Sequence, residues 1–154
     1  MTKQGYEPFE LGDFFPYRLA VLAERVSIAV AQLYADRFGI SRAEWRVLAA
    51  LGANGAMAAK DISAYSTLDK MQVSRAVARL EEADLITRAA DDADRRAKIL
   101  TLTPAGRALF RKIVPLAQAR EEDLLQDLEP QERAVLEKAM DKVLARAQGL
   151  VERG

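Results

Sequence analysis

Residues 68–103 read LDKMQVSRAVARLEEADLITRAADDADRRAKILTLT, and this stretch decides the fold. Apolar residues recur in its first half at the spacing of one helical face, namely Val73, Val77 and Leu80. Asp69 and Gln72 have the spacing of a capping box, which predicts where this helix begins. Asp84 lies where a helix usually ends on glycine, and aspartate tolerates the left-handed backbone of that position better than most residues. The stretch therefore begins with an amphipathic helix whose outer side is polar and basic.

The second half of the stretch predicts a β-hairpin. Residues 85–89 and 98–103 carry the isoleucine, leucine and threonine that are typical of strands. The loop between them, 90–97, contains Asp91, Asp92, Asp94, Arg95 and Arg96. This loop lacks the glycine and the closing glutamate of a calcium-binding loop, so we expect no metal and no cofactor. A helix that fits a major groove, followed by a hairpin tipped with arginines, is suited to holding duplex DNA.

Three helices are predicted before this stretch. The first, over 15–38, ends at Gly39, and its apolar side chains cover most of its circumference, so it must be covered on more than one side. The second is opened by Ser41 and Glu44 as a capping box, and the third spans 60–65. Helix, turn, helix and wing in this order form a winged helix-turn-helix.

Two helices are predicted after the hairpin. Thr103 caps the first of them, which begins at Pro104 and runs to about residue 127. Pro115 lies inside it, and since an interior proline costs about 3 kcal/mol we expect a kink near residues 111–113. Pro130 opens the last helix, whose broad apolar stripe has no obvious cover within the same subunit. We therefore predict a homodimer in which the first helix and the last two helices are intertwined.

The predicted fold class is mainly α with a small β-hairpin wing, a winged helix-turn-helix plus a helical dimerisation region. Residues 1–40 are assigned to an N-terminal arm and a long dimerisation helix. Residues 41–103 form the winged helix-turn-helix DNA-binding lobe, and 104–154 form the C-terminal dimerisation helices. These parts together make a single intertwined domain.

The composition excludes several classes of function. The 154 residues include no histidine and no cysteine, which removes disulfides, thiol redox sensing, thiolate or imidazole metal sites and catalysis by a nucleophile and histidine. No apolar run approaches the ~20 residues that span a bilayer, and the N-terminus lacks a signal pattern, so we expect a cytoplasmic protein with no membrane partner. Basic and acidic residues number 23 each, and 69–98 hold seven of each. Any DNA-binding face must therefore come from the placement of charges.

The same stretch resembles a known family. The runs DKMQVSRAVARLEEADLI and DDADRRAKILTLTPAGR are similar to the recognition helix and wing of the MarR family of bacterial transcriptional regulators. Besides a leucine and aspartate at the helix entry, the shared residues are Asp94 and Arg96 in the wing and Leu102, Thr103 and Gly106 at the strand exit. The similarity in motifs extends over about residues 41–107 and continues in helix order through the rest of the chain. Taken together the motifs are fairly specific, although each alone is weak. The resemblance implies an intertwined dimer that binds DNA.

The helix supplies the first group of candidate DNA contacts, which are Lys70, Gln72, Ser74, Arg75 and Arg79. Arg75 is assigned a guanine edge or a phosphate, and its neighbours are assigned bases or phosphates. The alternative is an ordinary solvated helix face. The following hairpin favours the DNA interpretation.

The wing supplies the second group. Arg95 and Arg96 would reach a minor groove or its phosphates, and Asp94 would brace Arg96 through a charge-assisted hydrogen bond. The alternative is a polar hairpin turn without a ligand, and the family pattern favours a functional Arg96.

Four residues are candidates for an effector pocket between the dimer helices and the DNA-binding lobe: Tyr17, Arg18, Trp45 and Arg46. In the resembled family such a pocket often takes small aromatic acids, for which an arginine offers carboxylate binding and an aromatic ring offers stacking. The alternative is that Trp45 belongs to the core and the arginines form structural ion pairs.

Three functions remain open from the sequence. The first is a homodimeric transcription factor, acting as a ligand-responsive repressor on a pseudo-palindromic operator of double-stranded DNA. The second is a winged-helix module that binds protein and not DNA. Such a module would need no arginines at the wing tip, so their presence counts against it. The third is an enzyme, which would need a carboxylate pair or a lysine in a pocket that the sequence does not reveal.

Overall fold

The structure is a computed structural model that describes residues 8–90, Ala93 and residues 98–154. Most of the predicted wing tip, with Asp94, Arg95 and Arg96, lies outside the described residues, as do the first seven residues of the predicted arm. The described residues form a short 3-10 helix (Leu11–Asp13), six α-helices and three strands. In chain order these are α1 (Phe15–Phe38), α2 (Arg42–Asn54), β1 (Met57–Ala58), α3 (Ala59–Ser66), α4 (Lys70–Glu82), β2 (Ile86–Ala90), β3 (Lys98–Leu102), α5 (Pro104–Leu125) and α6 (Pro130–Arg153).

Capping residues fix the starts of α2 and α4 as predicted. The Asp69 carboxylate accepts from the Gln72 backbone amide at 2.8 Å, and the Gln72 side chain accepts from the Asp69 amide at 3.0 Å. Ser41 and Glu44 form the same reciprocal pair at the start of α2. At such a box, two amides that have no partner within the helix are satisfied by side chains. Both starts are therefore encoded locally in the sequence.

Left-handed backbone conformations mark two of the predicted helix ends. Gly39, which follows α1, has φ 63°, and its amide donates to the carbonyl oxygens of Tyr34 and Ala35. Asp84, in the turn after α4, has φ 57°. A residue with positive φ reverses the chain and satisfies the last carbonyls of a helix. The prediction that Asp84 takes the place of the usual glycine is confirmed.

The three strands form one antiparallel sheet in the order β1-β3-β2. The hairpin of β2 and β3 was predicted, with boundaries that differ by one residue. Strand β1 was not predicted: Met57 and Ala58 pair with Leu100 and Ile99 of β3. Two residues are too short a segment for a period of two to be recognised, so only the tertiary pairing defines this strand.

The core lies where α2, α3 and α4 meet the sheet. Its most deeply buried large side chains come from α2, α3, α4, β2, β3 and α5, and they are Val47, Leu48, Ile62, Leu80, Ile86, Leu100 and Ile113. Val73 and Val77 join Leu80 in this core, which confirms the predicted apolar face of α4. Burying each such side chain is worth ~1.5 to 3 kcal/mol, so this packing holds α4 in place.

The strand exit that the sequence shares with the MarR pattern is a compact junction. The Thr103 hydroxyl donates to the Asp84 carbonyl oxygen at 2.6 Å and accepts from the Gly106 amide at 3.0 Å. The Thr103 amide donates to the Leu85 carbonyl oxygen at 3.0 Å. A Cβ atom on Gly106 would overlap that same carbonyl oxygen, so the position requires glycine. The junction joins the turn after α4 to the first turn of α5.

The chain divides into two compact units, 1–117 and 118–154. Helix α5 runs unbroken from Pro104 through Pro115 to Leu125, and the kink predicted near residues 111–113 stays a prediction. In the second unit, Pro130 is the first residue of α6, as the sequence predicted, and Glu129 and Glu132 form a capping box that was not predicted. Arg133 of α6 pairs with Glu122 at 3.0 Å. No residue of α6 is buried in this chain, so its apolar stripe is open to solvent.

Candidate nucleic-acid interface

The candidate residues of α4 share its exposed side. All five are exposed, namely Lys70, Gln72, Ser74, Arg75 and Arg79. The opposite side of the helix is buried, with Val73, Ala76, Val77 and Leu80 each 2% exposed. Because the helix is anchored along that side and capped at its start, its polar side is held outward in a fixed orientation. This is the geometry that a recognition helix needs to enter a major groove.

A cleft of about 420 Å³ lies beside α4, bordered by α3 and by the β2–β3 hairpin. Four cationic side chains line it, and none of its described lining residues is acidic; the cations are Lys60, Lys70, Arg88 and Lys98. Val73, Val77 and Leu100 contribute its apolar lining. Folding therefore brings together cations that are far apart along the chain. A cleft with this lining can hold an anionic group such as a backbone phosphate of DNA.

Three of these cations were missed by the sequence analysis: Lys60, Arg88 and Lys98. Strand register explains two of them, because Arg88 pairs with Leu100 and Ala90 pairs with Lys98. Directly opposed residues share a face of the sheet, so Arg88 and Lys98 lie on the face that also carries buried Leu100. Because side chains alternate between the two faces along a strand, the sequence could have shown that Lys98 shares a face with Leu100. Lys60 comes near them only through the packing of α3, for which the sequence carries no local signal.

Arg88 also connects the wing to the end of α4. Its Nε donates to a carboxylate oxygen of Glu81 at 2.8 Å. The two side chains are 35% and 42% exposed, and a pair so accessible to water contributes ~0.2 to 1 kcal/mol. The pair therefore adds little stability, and its main effect is to orient the guanidinium of Arg88 at the cleft.

The four effector candidates occupy different parts of the first unit. Trp45 is partly buried and packs against the core, with its ring centroid 5.5 Å from that of Tyr34 and 6.3 Å from that of Phe110. Arg46 donates to the Ser27 hydroxyl at 3.3 Å. Tyr17 and Arg18 are exposed near the start of α1, and at 1.5 Å per residue Tyr17 lies about 15 Å along the helix from Ser27. A pocket shared by all four residues stays a prediction.

A polar cluster joins α1 to α2 beside Trp45. Arg42 binds both carboxylate oxygens of Glu24 at 3.0 and 3.1 Å, and its Nε donates to the Ser27 hydroxyl at 2.9 Å. The hydrogen bond and the charge of Arg42 lower the pKa of Glu24. Burial raises the pKa of Tyr34, an effect that the charges of Arg42 and Arg46 oppose. The cluster keeps charge close to the half-buried indole.

The exposed recognition helix, the antiparallel wing strands and the basic cleft together define the class of winged helix-turn-helix DNA-binding proteins. Comparisons with known proteins identify the family within that class. The sequence model described as MarR family matches residues 38–97. The uncharacterized HTH-type transcriptional regulator YwoH of Bacillus subtilis (strain 168) is 30% identical over 98 residues, which are 64% of this chain and 71% of YwoH.

Solved structures agree with the sequence comparison. A MarR/EmrR family transcriptional regulator from Acinetobacter sp. ADP1 is 27% identical, with a TM-score of 0.82 over 92% of this chain and 99% of that one. Bordetella bronchiseptica BpsR, whose DNA binding is regulated by 6-hydroxynicotinic acid, is 28% identical, with a TM-score of 0.79 over 89% of this chain and 97% of BpsR. The chain belongs to the MarR family.

Family membership decides between the functions that the sequence left open. The protein is a DNA-binding transcriptional regulator and not an enzyme. Among the described residues, no helix is both long and apolar enough to cross a membrane.

Proposed function

We propose that the protein is a homodimeric, ligand-responsive transcriptional repressor that binds a pseudo-palindromic operator. The observation that carries the proposal is the outer side of α4, where five polar or cationic candidates are exposed on a helix whose other side is fixed in the core. In a symmetric dimer, two such helices would enter successive major grooves, whose centres are about 34 to 36 Å apart.

On this proposal the DNA contacts fall into two groups. Arg75, Ser74 and Gln72 contact base edges, and Lys70 and Arg79 contact phosphates beside them. The cations of the cleft, including Arg88 and Lys98, add phosphate contacts between the helix and the wing. Asp94, Arg95 and Arg96 complete the interface at the wing tip, where the arginines reach the minor groove or its phosphates.

Exposed apolar side chains support the dimer. In α1, Leu19 and Leu22 are 48% and 58% exposed, and in α6, Leu144 and Val151 are 57% and 80% exposed. Phe9 and Phe14, whose ring centroids are 5.2 Å apart, extend the exposed apolar surface before α1. Each Å² of such surface that a partner covers stabilises the complex by about 25 cal/mol. A second copy of the chain, related by a two-fold axis, presents the same apolar surfaces and could cover them.

The ligand response is proposed from chemistry and from one relative. The effector of BpsR named above, 6-hydroxynicotinic acid, is a small aromatic acid. Tyr17, Arg18, Trp45 and Arg46 offer aromatic faces and guanidinium groups to a ligand of that kind. Such a ligand would release DNA only by binding more tightly to the dimer arrangement that does not fit the operator. Since its target is the chromosome, we place the protein in the cytoplasm.

Fluorescence anisotropy with a duplex from the intergenic region beside the gene tests the proposal. Nanomolar binding that resists a scrambled competitor and weakens steeply with salt is expected. The mass measured by light scattering should correspond to two chains for the free protein and to two chains plus one duplex for the complex. Binding equal to that of the scrambled duplex, followed by failure to select any sequence from a random library, would contradict sequence-specific binding.

Arg75→Ala is expected to lower operator affinity by about 1 to 3 kcal/mol and to relax preference at one base position, because Arg75 is assigned a base edge. Arg111→Ala is the matched control, since Arg111 is also an exposed helical arginine but lies on α5. An equal loss of affinity on every DNA sequence would show instead that Arg75 contacts a phosphate.

A further inference from the structure

Met71 is an exposed apolar residue on the polar side of α4. Its side chain is 61% exposed in the first turn of the helix, beside exposed Lys70 and Gln72. Water surrounds most of this thioether in the free protein, so the residue contributes little to the core. An apolar side chain in this place is available for a partner that contacts the outer side of α4.

Helical geometry places Met71 in the centre of that side. At 100° per residue, Met71 lies about 40° from Arg75 and about 20° from Ala78, and all three are on the side opposite the buried Val73, Val77 and Leu80. Arg75 follows Met71 by four residues, so the two side chains are neighbours about 6 Å apart along the helix axis. A partner that Arg75 contacts is therefore also within reach of Met71.

We propose that Met71 is a specificity-determining residue that packs against the C5-methyl group of a thymine in the operator. This inference rests on the proposed DNA contacts of α4. Among the base edges of the major groove, the thymine methyl is the apolar group, and it distinguishes a T·A pair from the others. Methionine suits such a contact because it is unbranched, flexible and polarisable.

The surroundings of Met71 favour DNA over an apolar protein surface as its partner. Protein partners bind contiguous apolar patches, whereas Met71 is flanked on the helix by Lys70, Gln72 and Arg75. A single apolar group among cations matches a polyanion that carries isolated methyl groups. Because base pairs rise 3.4 Å each, the thymine should lie within about two base pairs of the position that Arg75 reads.

Replacement of single thymines by deoxyuridine tests the proposal, since it removes the methyl group and leaves the hydrogen-bonding groups unchanged. The probe is a duplex selected by the wild-type protein from a random library. Removing one contacted methyl should weaken wild-type binding about threefold to fivefold, as expected for one buried methyl-sized group. Met71→Ala should bind the thymine duplex correspondingly less well and should not distinguish thymine from deoxyuridine. Alanine keeps the helix stable, so the variant should fold.

Met71→Leu is the matched control, because leucine keeps an apolar side chain of similar volume at the same place on α4 and is a good helix former. It should still distinguish thymine from deoxyuridine. The proposal is overturned if no thymine of the selected duplex gives a wild-type response, or if Met71→Ala keeps the same response at the same position. If no duplex can be selected, the proposed operator binding itself fails, which is a separate and recognisable result.

Discussion

Replacing Gly106 by alanine is expected to lower the free energy of unfolding by about 1 to 3 kcal/mol. The added Cβ would overlap the carbonyl oxygen of Leu85, a backbone atom that accepts from the Thr103 amide at 3.0 Å. Overpacking costs typically 1 to 3 kcal/mol, and weakening that hydrogen bond adds about 0.5 to 1.5 kcal/mol. The higher helix propensity of alanine offsets up to about 1 kcal/mol of this cost.

Gly149→Ala is the matched control for this substitution. Gly149 also lies within a helix, but the nearest heavy atom to its added Cβ is an Arg153 nitrogen at 3.6 Å, an ordinary contact. The same chemical change should therefore stabilise the protein by about 0.5 to 1 kcal/mol. The two glycines are expected to respond with opposite signs.

Urea denaturation followed by circular dichroism, at one fixed protein concentration, measures both variants against the wild type, since the stability of a dimer depends on concentration. If Gly106→Ala is as stable as the wild type, or gains stability like Gly149→Ala, then the junction of Thr103, Gly106 and Leu85 does not constrain the chain as argued. The same variant should lose operator affinity, because movement of α5 away from Leu85 disturbs the turn that follows α4.

Three further substitutions, one of them with a control substitution beside it, test separate features. Arg88→Ala should lower the salt dependence of DNA binding by about one phosphate contact while changing the free energy of unfolding by less than about 1 kcal/mol, and an unchanged salt slope would remove the cleft from the DNA interface. Ser66→Ala should leave the free energy of unfolding unchanged or raised by up to about 1 kcal/mol, because the buried Ser66 hydroxyl has no hydrogen-bond partner among the described residues. Ser63→Ala is its control in the same denaturation experiment and should be destabilising, since the Ser63 hydroxyl donates to the Leu68 carbonyl oxygen at 2.8 Å. Tyr34→Phe should reduce the loss of stability above pH 10.0: burial raises the folded-state pKa of Tyr34, so the unfolded phenol ionises first and the free energy of unfolding falls with pH. Denaturation at pH 9 and 11 should show this difference, and equal losses in both proteins would contradict it.

The helix starts and the recognition helix could be predicted because their signals are local. The boxes of Asp69 and Ser41 close through residues three positions away, and the apolar face of α4 repeats within a single helix. The helical repeat of that apolar face also predicted that the five candidate contacts lie on the exposed side of α4. Strand β1 and the cationic lining contributed by Lys60 could not be predicted, because they depend on residues that are distant in sequence and meet only after folding.

The sequence by itself determined the order of the six α-helices and of the two hairpin strands, and the side of α4 that faces outward. Through the absence of histidine and cysteine it also determined which chemistry the protein cannot perform. It could not determine where cations gather, because the stretch from Asp69 to Lys98 is neutral when counted along the chain. The tertiary structure decided that: strand pairing and helix packing bring Arg88, Lys98 and Lys60 to one cleft beside α4. Local periodicity fixes which way each side chain points, whereas only packing fixes which side chains meet.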